Sequence, residues 1–283
     1  MKSFLSTALL ACLLSGVQAQ DSTIATPTDT LVKSKPQLKL SVNYNSTLNY
    51  YGRVDSLKSS GIFPLLEFWA TPNFYINAAP IFVNNKVQSF EYAGTVATIG
   101  YQYLTDKWLS NIYALKPFYK EGTNLAQSVL KAQSGISVSK LNKVANITVG
   151  GDVKFSDQID FGATAGIDHI FRIKNKDNSV LVLDPAFYVN AGTQRFSRVV
   201  QKNNGFGLPV GNNNNQQVET VNEFAILSYE ASMPIIYAKG AWMLLVTPSY
   251  VMPQNLITVP NRPDLSEMGE NTFYTTLGLK YTF

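Results

Sequence analysis

The chain has 283 residues, of which 45% are hydrophobic, 12% aromatic and only 15% charged, with a net charge of +4. This weak, dispersed charge argues against nucleic-acid binding. After the first twenty residues, no run approaches the roughly 20 apolar residues of a membrane-spanning helix. The single cysteine, Cys12, excludes an internal disulfide framework and a cysteine metal site, and no cofactor is expected.

The amino terminus has the pattern of an export signal. A basic start at Lys2 is followed by an apolar stretch and a small-x-small site ending at Ala19. Residues 1–19 are therefore predicted to be a cleaved secretory signal peptide. A lipobox at Leu9-Leu10-Ala11-Cys12, with Cys12 lipidated, is the alternative. Residues 20–36 are polar and are predicted to form a flexible periplasmic segment before a single domain at 37–283.

From residue 37 onward, apolar and polar side chains alternate with the period of two that is typical of β-strands. Leu38, Leu40 and Val42, for example, share one face of the first predicted strand. The pattern predicts about twelve strands, near 37–46, 62–70, 74–83, 91–104, 108–119, 135–141, 146–155, 161–173, 179–194, 219–236, 241–252 and 272–283. Two of them, 62–70 and 108–119, can be set with either face outward. Six prolines lie inside predicted strands and indicate bulges or strand ends: Pro64, Pro80, Pro117, Pro185, Pro234 and Pro248.

The connections between predicted strands alternate between short and long. Thr71-Pro72-Asn73 and Ala238-Lys239-Gly240 are short, whereas the connections around Tyr50 and Pro260 are long. Transmembrane β-barrels have short periplasmic turns and longer outer loops, with aromatic girdles at both membrane interfaces. The predicted fold is therefore all-β, a transmembrane antiparallel up-and-down barrel with both termini in the periplasm. A secreted β-sandwich is the alternative, but it does not explain this rhythm.

The carboxyl terminus carries the most specific pattern. Leu279, Tyr281 and Phe283 share the apolar face of the last strand, and the chain ends on that aromatic residue. This ending resembles the closing strand of bacterial outer-membrane barrels, in which it is recognised by the insertion machinery. The resemblance implies an outer-membrane location, with membrane lipid and the insertion machinery as partners. The final hairpin, from Trp242 to Tyr274, is similar to poorly characterised barrels of Bacteroidota.

Sequence evidence for an enzyme is weak. The only histidine, His169, falls on the predicted lipid-facing phase near a short turn, where an interfacial aromatic role is expected. Outer-membrane phospholipase A carries a histidine–x–serine–asparagine–glycine segment, but His169 is followed by Ile170-Phe171-Arg172. Omptin proteases need their histidine in the outer part of the barrel. The chain is therefore not expected to be an enzyme.

Charged residues of both signs lie on the polar phases of the predicted strands. Nine of them are predicted to line the lumen: Lys39, Glu67, Asp152, Lys154, Asp168, Arg172, Asp184, Glu230 and Lys280. Such charges tune selectivity when a lumen is open, or pair and block it when the lumen is narrow. The sequence therefore predicts a passive channel for small solutes. The alternative is an occluded barrel that acts through its outer loops as a structural or surface-interaction protein.

Two outer loops stand out by composition. The segment Gln201–Gln217 is rich in asparagine and glycine, and either a solvated surface loop or a constriction folded into the lumen fits its composition. The segment Pro253–Asn271 contains two further prolines and three acids and is a candidate lid.

Overall fold

The fold is a closed antiparallel sheet. The computed structural model describes residues 35–54, 57–87, 89–120, 130–175, 178–201, 216–257 and 267–283, and side chains are described for all of these except 195–201 and 216–222. The predicted signal peptide, most of residues 20–36 and the asparagine-rich loop lie outside the described residues. In the part of the chain that the structure describes, no helix is long and apolar enough to cross a membrane.

Seventeen strands are formed by the described residues. They are β1 (Gln37–Asn45), β2 (Asn49–Tyr50), β3 (Arg53–Val54), β4 (Ser60–Trp69), β5 (Phe74–Asn84), β6 (Glu91–Leu104), β7 (Trp108–Tyr119), β8 (Ala132–Lys140), β9 (Asn146–Phe155), β10 (Ile159–Asp168), β11 (Phe171–Lys174), β12 (Ser179–Leu183), β13 (Ala186–Gln201), β14 (Gln216–Ser232), β15 (Ile235–Lys239), β16 (Trp242–Pro253) and β17 (Thr272–Thr282). Fifteen of them form one sheet, and β2 and β3 form a separate hairpin.

The sheet closes because β17 pairs with both β16 and β1. Three of its strands are interrupted, so that β10 with β11, β12 with β13, and β14 with β15 each make one transmembrane strand. The result is a 12-strand antiparallel barrel. The predicted fold class and strand count are confirmed. Most strand ends differ from the predicted ones by three residues or fewer, but the strand predicted to end at residue 194 continues to Gln201.

The three interruptions lie next to one another and are marked by prolines. The His169 N–H donates to the Pro185 carbonyl, the Asp184 N–H to the Pro234 carbonyl, and the Met233 N–H to the Pro248 carbonyl, at 3.0–3.1 Å. A proline carbonyl can accept a ladder bond, but the residue has no N–H to return one. The three proline positions, which have no backbone N–H to donate, therefore lie side by side on neighbouring strands.

Pro64 and Pro80 are placed opposite each other by the common register of β4 and β5.

The outer surface of the barrel is apolar. Leu40, Ile112, Ile147, Phe161 and Leu279 are among many large hydrophobic side chains that are 45–54% exposed on it. The first and last strands begin and finish, respectively, on the side of the barrel that carries the short turns. There Gln37 pairs with Trp69, and the Phe283 N–H donates to the Leu38 carbonyl. Because the short turns of such barrels are periplasmic, both termini are predicted to be periplasmic, and this placement stays a prediction.

Candidate functional site: the barrel interior

The first outer connection folds into the barrel. In it, β2 and β3 form a two-stranded hairpin, with Asn49 paired to Val54 and Tyr50 to Arg53. Tyr51 and Gly52 at its tip have positive φ angles of 54° and 79°. The tip also packs tightly, because a Cβ atom on Gly52 would lie 2.7 Å from Pro253 Cδ. Only glycine meets both demands at this position without strain.

Arg53 anchors this hairpin, and its side chain is buried. Its Nε lies 3.0 Å from Glu267 Oε2, in the last outer connection. Its two terminal nitrogens donate to the carbonyl oxygens of Leu227 and Gln254, at 3.0 and 3.1 Å. One guanidinium therefore ties the hairpin to the wall and to the segment that covers it. Arg53 could not be recognised as an anchor from sequence, because its neighbours in the chain do not distinguish it from a solvent-exposed arginine in a loop.

Apolar side chains fill the outer end of the interior. Leu48 from the first connection and Leu130 from the third pack against inward-facing residues of the wall. The cluster consists of Leu48, Phe63, Ile81, Val83, Ala93, Val96, Leu115 and Leu130. This packing explains why β4 and β7 could not be oriented from sequence: their inward faces are apolar too. The ambiguity of these two strands in the sequence therefore has a structural cause.

A row of alternating large and small residues crosses the inner wall at one level. Successive ladder pairs join Tyr75 to Gly100, Gly100 to Tyr113, and Tyr113 to Gly135. The rings lie flat over the glycines, since a Cβ atom on Gly100 would be 2.2 Å from Tyr75 Cζ. The Tyr75 hydroxyl donates to Asn111 Oδ1 at 3.1 Å, so the rings fill space while keeping their polar ends bonded.

Two buried ion pairs join residues that were predicted to line the lumen. Lys280 Nζ lies 2.8 Å from Glu67 Oε1, with side-chain exposures of 9% and 3%. Lys154 Nζ lies 2.9 Å from Asp152 Oδ2, with exposures of 5% and 14%. A third base of the predicted set, Lys39, has its ammonium 4.3 Å from the centre of the Trp69 ring. These charges lie inside the barrel and are largely shielded from solvent.

Tyr50 of the hairpin meets the second of these pairs. Lys154 Nζ lies 5.7 Å from the centre of the Tyr50 ring. Burial raises the pKa of the Tyr50 hydroxyl above its ordinary value, and the nearby Lys154 ammonium opposes part of that shift. The hairpin is therefore coupled to the charged wall through a neutral phenol.

Three more predicted residues, Asp168, Asp184 and Glu230, lie on three neighbouring transmembrane strands and form what we call the acid group. Asn146 Nδ2 donates to Asp168 Oδ2, and the Tyr274 hydroxyl donates to Glu230 Oε1, both at 2.6 Å. Asp168 and Asp184 also act on each other electrostatically. Among the described residues, Asp184 Oδ1 is buried and has no hydrogen-bond partner.

The remaining predicted residues lie at or near the short-turn end. Arg172 on β11 is exposed. Tyr281 makes edge contacts with Trp242 and Phe283, with ring centres 4.8 and 4.7 Å apart. The Phe283 side chain is 68% exposed. His169 lies in one of the strand interruptions, with its ring 4.3 Å from that of Phe171.

A second apolar cluster lies inside the barrel near the short turns. It comprises Val182, Ile236, Met243 and Leu245, with Ile170 and Val180 packed against it. Met243 and Leu245 share the inward face of β16 with Thr247 and Ser249, and they depart from the polar character of that face. The structure explains this departure, because their neighbours across the ladder present the same kind of side chain to the interior.

The closed ladder and the apolar exterior decide the class of protein. A barrel without free edges leaves no ladder group unpaired in lipid, and its outer face presents the side chains that lipid solvates. The chain folds as a closed β-barrel of the transmembrane type. No protein-family model and no curated protein matches the chain.

Forty-two chains of solved structures resemble the barrel. An outer-membrane channel from Pseudomonas putida F1 is 10% identical with a TM-score of 0.45, over 92% of this chain and 100% of that one. The β-domain of the Bordetella autotransporter BrkA is 9% identical with a TM-score of 0.37, over 88% and 98%. The outer-membrane protein OmpT of Vibrio cholerae is 7% identical with a TM-score of 0.30, over 88% and 98%. At these values the neighbours carry no argument about ligand or mechanism.

The barrel interior thus has three zones: an apolar outer end covered by the hairpin, a charged middle, and an apolar cluster near the short turns. Inward side chains are well shielded, with Phe63, Gln133 and Ser249 at most 4% exposed. Among the described residues, no group of three or more His, Cys, Asp or Glu is placed to hold a metal ion. The interior therefore presents buried basic and acidic side chains, enclosed by the barrel wall, that could act on a charged solute.

Proposed function

We propose that this barrel is a channel for small solutes that rests in a closed state, with the β2–β3 hairpin as its gate. The proposal depends chiefly on one observation: a hairpin lies inside the outer end of the barrel and is held there by the buried side chain of Arg53. The proposal keeps the predicted channel and adds a closed resting state.

The contacts of the hairpin support a movable element. Wall strands are joined by continuous ladders, with seven backbone pairs between β1 and β17 alone. The described backbone contacts of the hairpin are fewer: Val54 N–H to the Met268 carbonyl at 3.1 Å, Glu270 N–H to the Gly52 carbonyl at 3.4 Å, and an isolated bridge between Arg53 and Gly269. Segments with few buried backbone bonds open at lower free energy than ladder-paired strands.

The charged middle zone supports a solute path. Burying an ion pair costs desolvation that its attraction barely offsets, and apolar residues of similar size would stabilise a solid barrel as well. Glu67 with Lys280 and Asp152 with Lys154 are buried in the closed state. When the hairpin withdraws and water enters, the same charges line the route and act on permeating ions.

A second candidate function is an occluded barrel that works through its outer loops. The apolar cluster around Ile236 and Met243 favours it, because this cluster narrows the other end of the interior without help from the hairpin. In that case, withdrawal of the hairpin does not open a passage through the barrel, because the second apolar cluster still blocks it. The two candidates therefore make opposite predictions for one experiment.

The test is single-channel conductance of the refolded barrel in planar bilayers, with folding verified by a heat-sensitive gel shift. We expect the unmodified barrel to be mostly silent and Arg53→Ala to show frequent open steps. Lys58→Ala is the matched control, since Lys58 also pairs across to the last connection, at Glu270, but through an exposed contact. A second variant, with residues 49–54 replaced by a glycine–serine linker, removes the gate completely. Folded variants that pass no current would overturn the channel in favour of the occluded barrel.

The export route and source of the barrel are proposals supported by sequence alone. We infer that residues 1–19 are cleaved and that the insertion machinery recognises Tyr281 and Phe283. We also infer that the barrel is of the Bacteroidota type, on the resemblance of its final hairpin. Finally, we propose that it is not an enzyme, which is supported by the position of its only histidine, His169, beside Phe171.

A further inference from the structure

We propose that the acid group makes the open channel selective for small monovalent cations of the alkali-metal or ammonium type. This inference rests on the channel function proposed above and names the class of its solute. Asp168, Asp184 and Glu230 are the residues that carry it.

The charges inside the barrel are paired unevenly. Three interior bases each have a carboxylate partner: Lys280 has Glu67, Lys154 has Asp152, and Arg53 has Glu267. Among the described residues, no Lys or Arg forms an ion pair with a member of the acid group. The hydrogen-bond donors to Asp168 and Glu230 are the neutral side chains of Asn146 and Tyr274. Neutral donors satisfy oxygen lone pairs but supply no positive charge to offset a carboxylate.

One carboxylate oxygen of Asp184 is buried without a hydrogen-bond donor among the described residues. The residue is only 4% exposed, yet its Oδ1 accepts no hydrogen bond from any described residue. A buried acceptor without a donor is costly, so such an atom in a native structure indicates a missing partner. A cation, with its remaining water, supplies that partner.

The strand interruption explains why this carboxylate is available. Asp184 directly follows β12 and precedes Pro185, so it lies where the inner ladder stops. Its backbone N–H donates to the Pro234 carbonyl, which fixes the main chain while the carboxylate remains inside. Two further groups near the acid group are Tyr188, which interacts electrostatically with all three acids, and the exposed Arg172, four residues after Asp168.

The arrangement favours passing cations rather than a resident metal ion. The acid group is spread over three transmembrane strands, and no compact metal-binding set is found among the described residues. Conduction requires sites that attract an ion enough to admit it but hold it weakly enough to release it. Dispersed carboxylates meet that requirement for singly charged ions.

The test uses the Arg53→Ala barrel, in which the gate is released, and measures the reversal potential across a potassium chloride gradient. We expect potassium to be preferred over chloride. Adding Asp184→Asn with Glu230→Gln should lower that preference at least threefold, and Asp168→Asn gives a second route if the first variant does not fold. Asp157→Asn is the matched control, because Asp157 is an exposed acid of an outer turn, paired with Lys131.

The outcomes separate the two proposals. No current in any folded, gate-released variant refutes the channel itself. Current without a preference for potassium, or with a preference that the acid-group variants leave unchanged, refutes the cation inference alone.

Discussion

The buried pair between Glu67 and Lys280 allows the closed state to be tested through stability. At 2.8 Å the attraction between unit charges is ~6 kcal/mol at an effective dielectric constant of about 20, but only ~1.5 kcal/mol in bulk water. Glu67→Gln removes the carboxylate partner of a buried ammonium, and Lys280→Met removes the ammonium partner of a buried carboxylate. Each substitution should lower the free energy of unfolding by ~3–5 kcal/mol.

The double variant should cost much less than the two single variants together, because it leaves no unpaired charge. We expect a coupling energy of at least ~2 kcal/mol between the two positions. The measurement is urea unfolding of the refolded barrel in lipid vesicles, followed by tryptophan fluorescence. The exposed pair of Lys131 and Asp157 is the control, with an expected coupling of ~0–1 kcal/mol. A coupling for the buried pair no larger than this control would mean a hydrated interior and would refute the closed state.

Three further outcomes are expected. Gly100→Ala forces a Cβ atom to 2.2 Å from the Tyr75 ring and should cost ~1–3 kcal/mol in the same urea assay, whereas Gly151→Ala, whose nearest neighbour is 3.5 Å away, should be near neutral. Equal costs would contradict the packed row. Phe283→Ala should slow insertion in the presence of the insertion machinery but leave unassisted refolding into lipid unchanged; equal slowing in both assays would remove the recognition role. Because burial raises the pKa of Tyr50, the hairpin's stabilisation is complete below the unfolded-state pKa of about 10 and is lost as pH rises through the folded-state pKa. Opening frequency should therefore increase at strongly alkaline pH, and Tyr50→Phe should abolish that increase.

The strand pattern could be predicted from sequence because lipid acts on every strand in the same way. Each membrane-facing position must be apolar, so residues such as Ile147 and Leu279 repeat with period two whatever the rest of the fold does. The same requirement placed every strand end but one to within three residues; the exception is the end predicted at residue 194, which lies at Gln201. It also predicted that charged residues of the polar phase face the interior, and three of these residues, Glu67, Lys154 and Asp184, are buried.

The contents of the interior could not be predicted in this way. Arg53 bonds to Glu267, 214 residues further along the chain, and no local pattern relates two outer connections that meet inside the barrel. The inward apolar residues of β4 and β7 gave an ambiguous pattern, because the packing that buries them comes from distant strands and from Leu48 and Leu130. The prolines predicted irregularity, but only register shows that Pro185, Pro234 and Pro248 form one line.

The sequence by itself determined the class of protein, its membrane-facing surface and the approximate number of strands, because these depend on a repeating local requirement imposed by lipid. The tertiary structure alone decided which charges are paired, which acids are left together and which connection enters the barrel. These contacts depend on closure and on register between strands, and a shift of register by one residue would exchange the inward and outward faces.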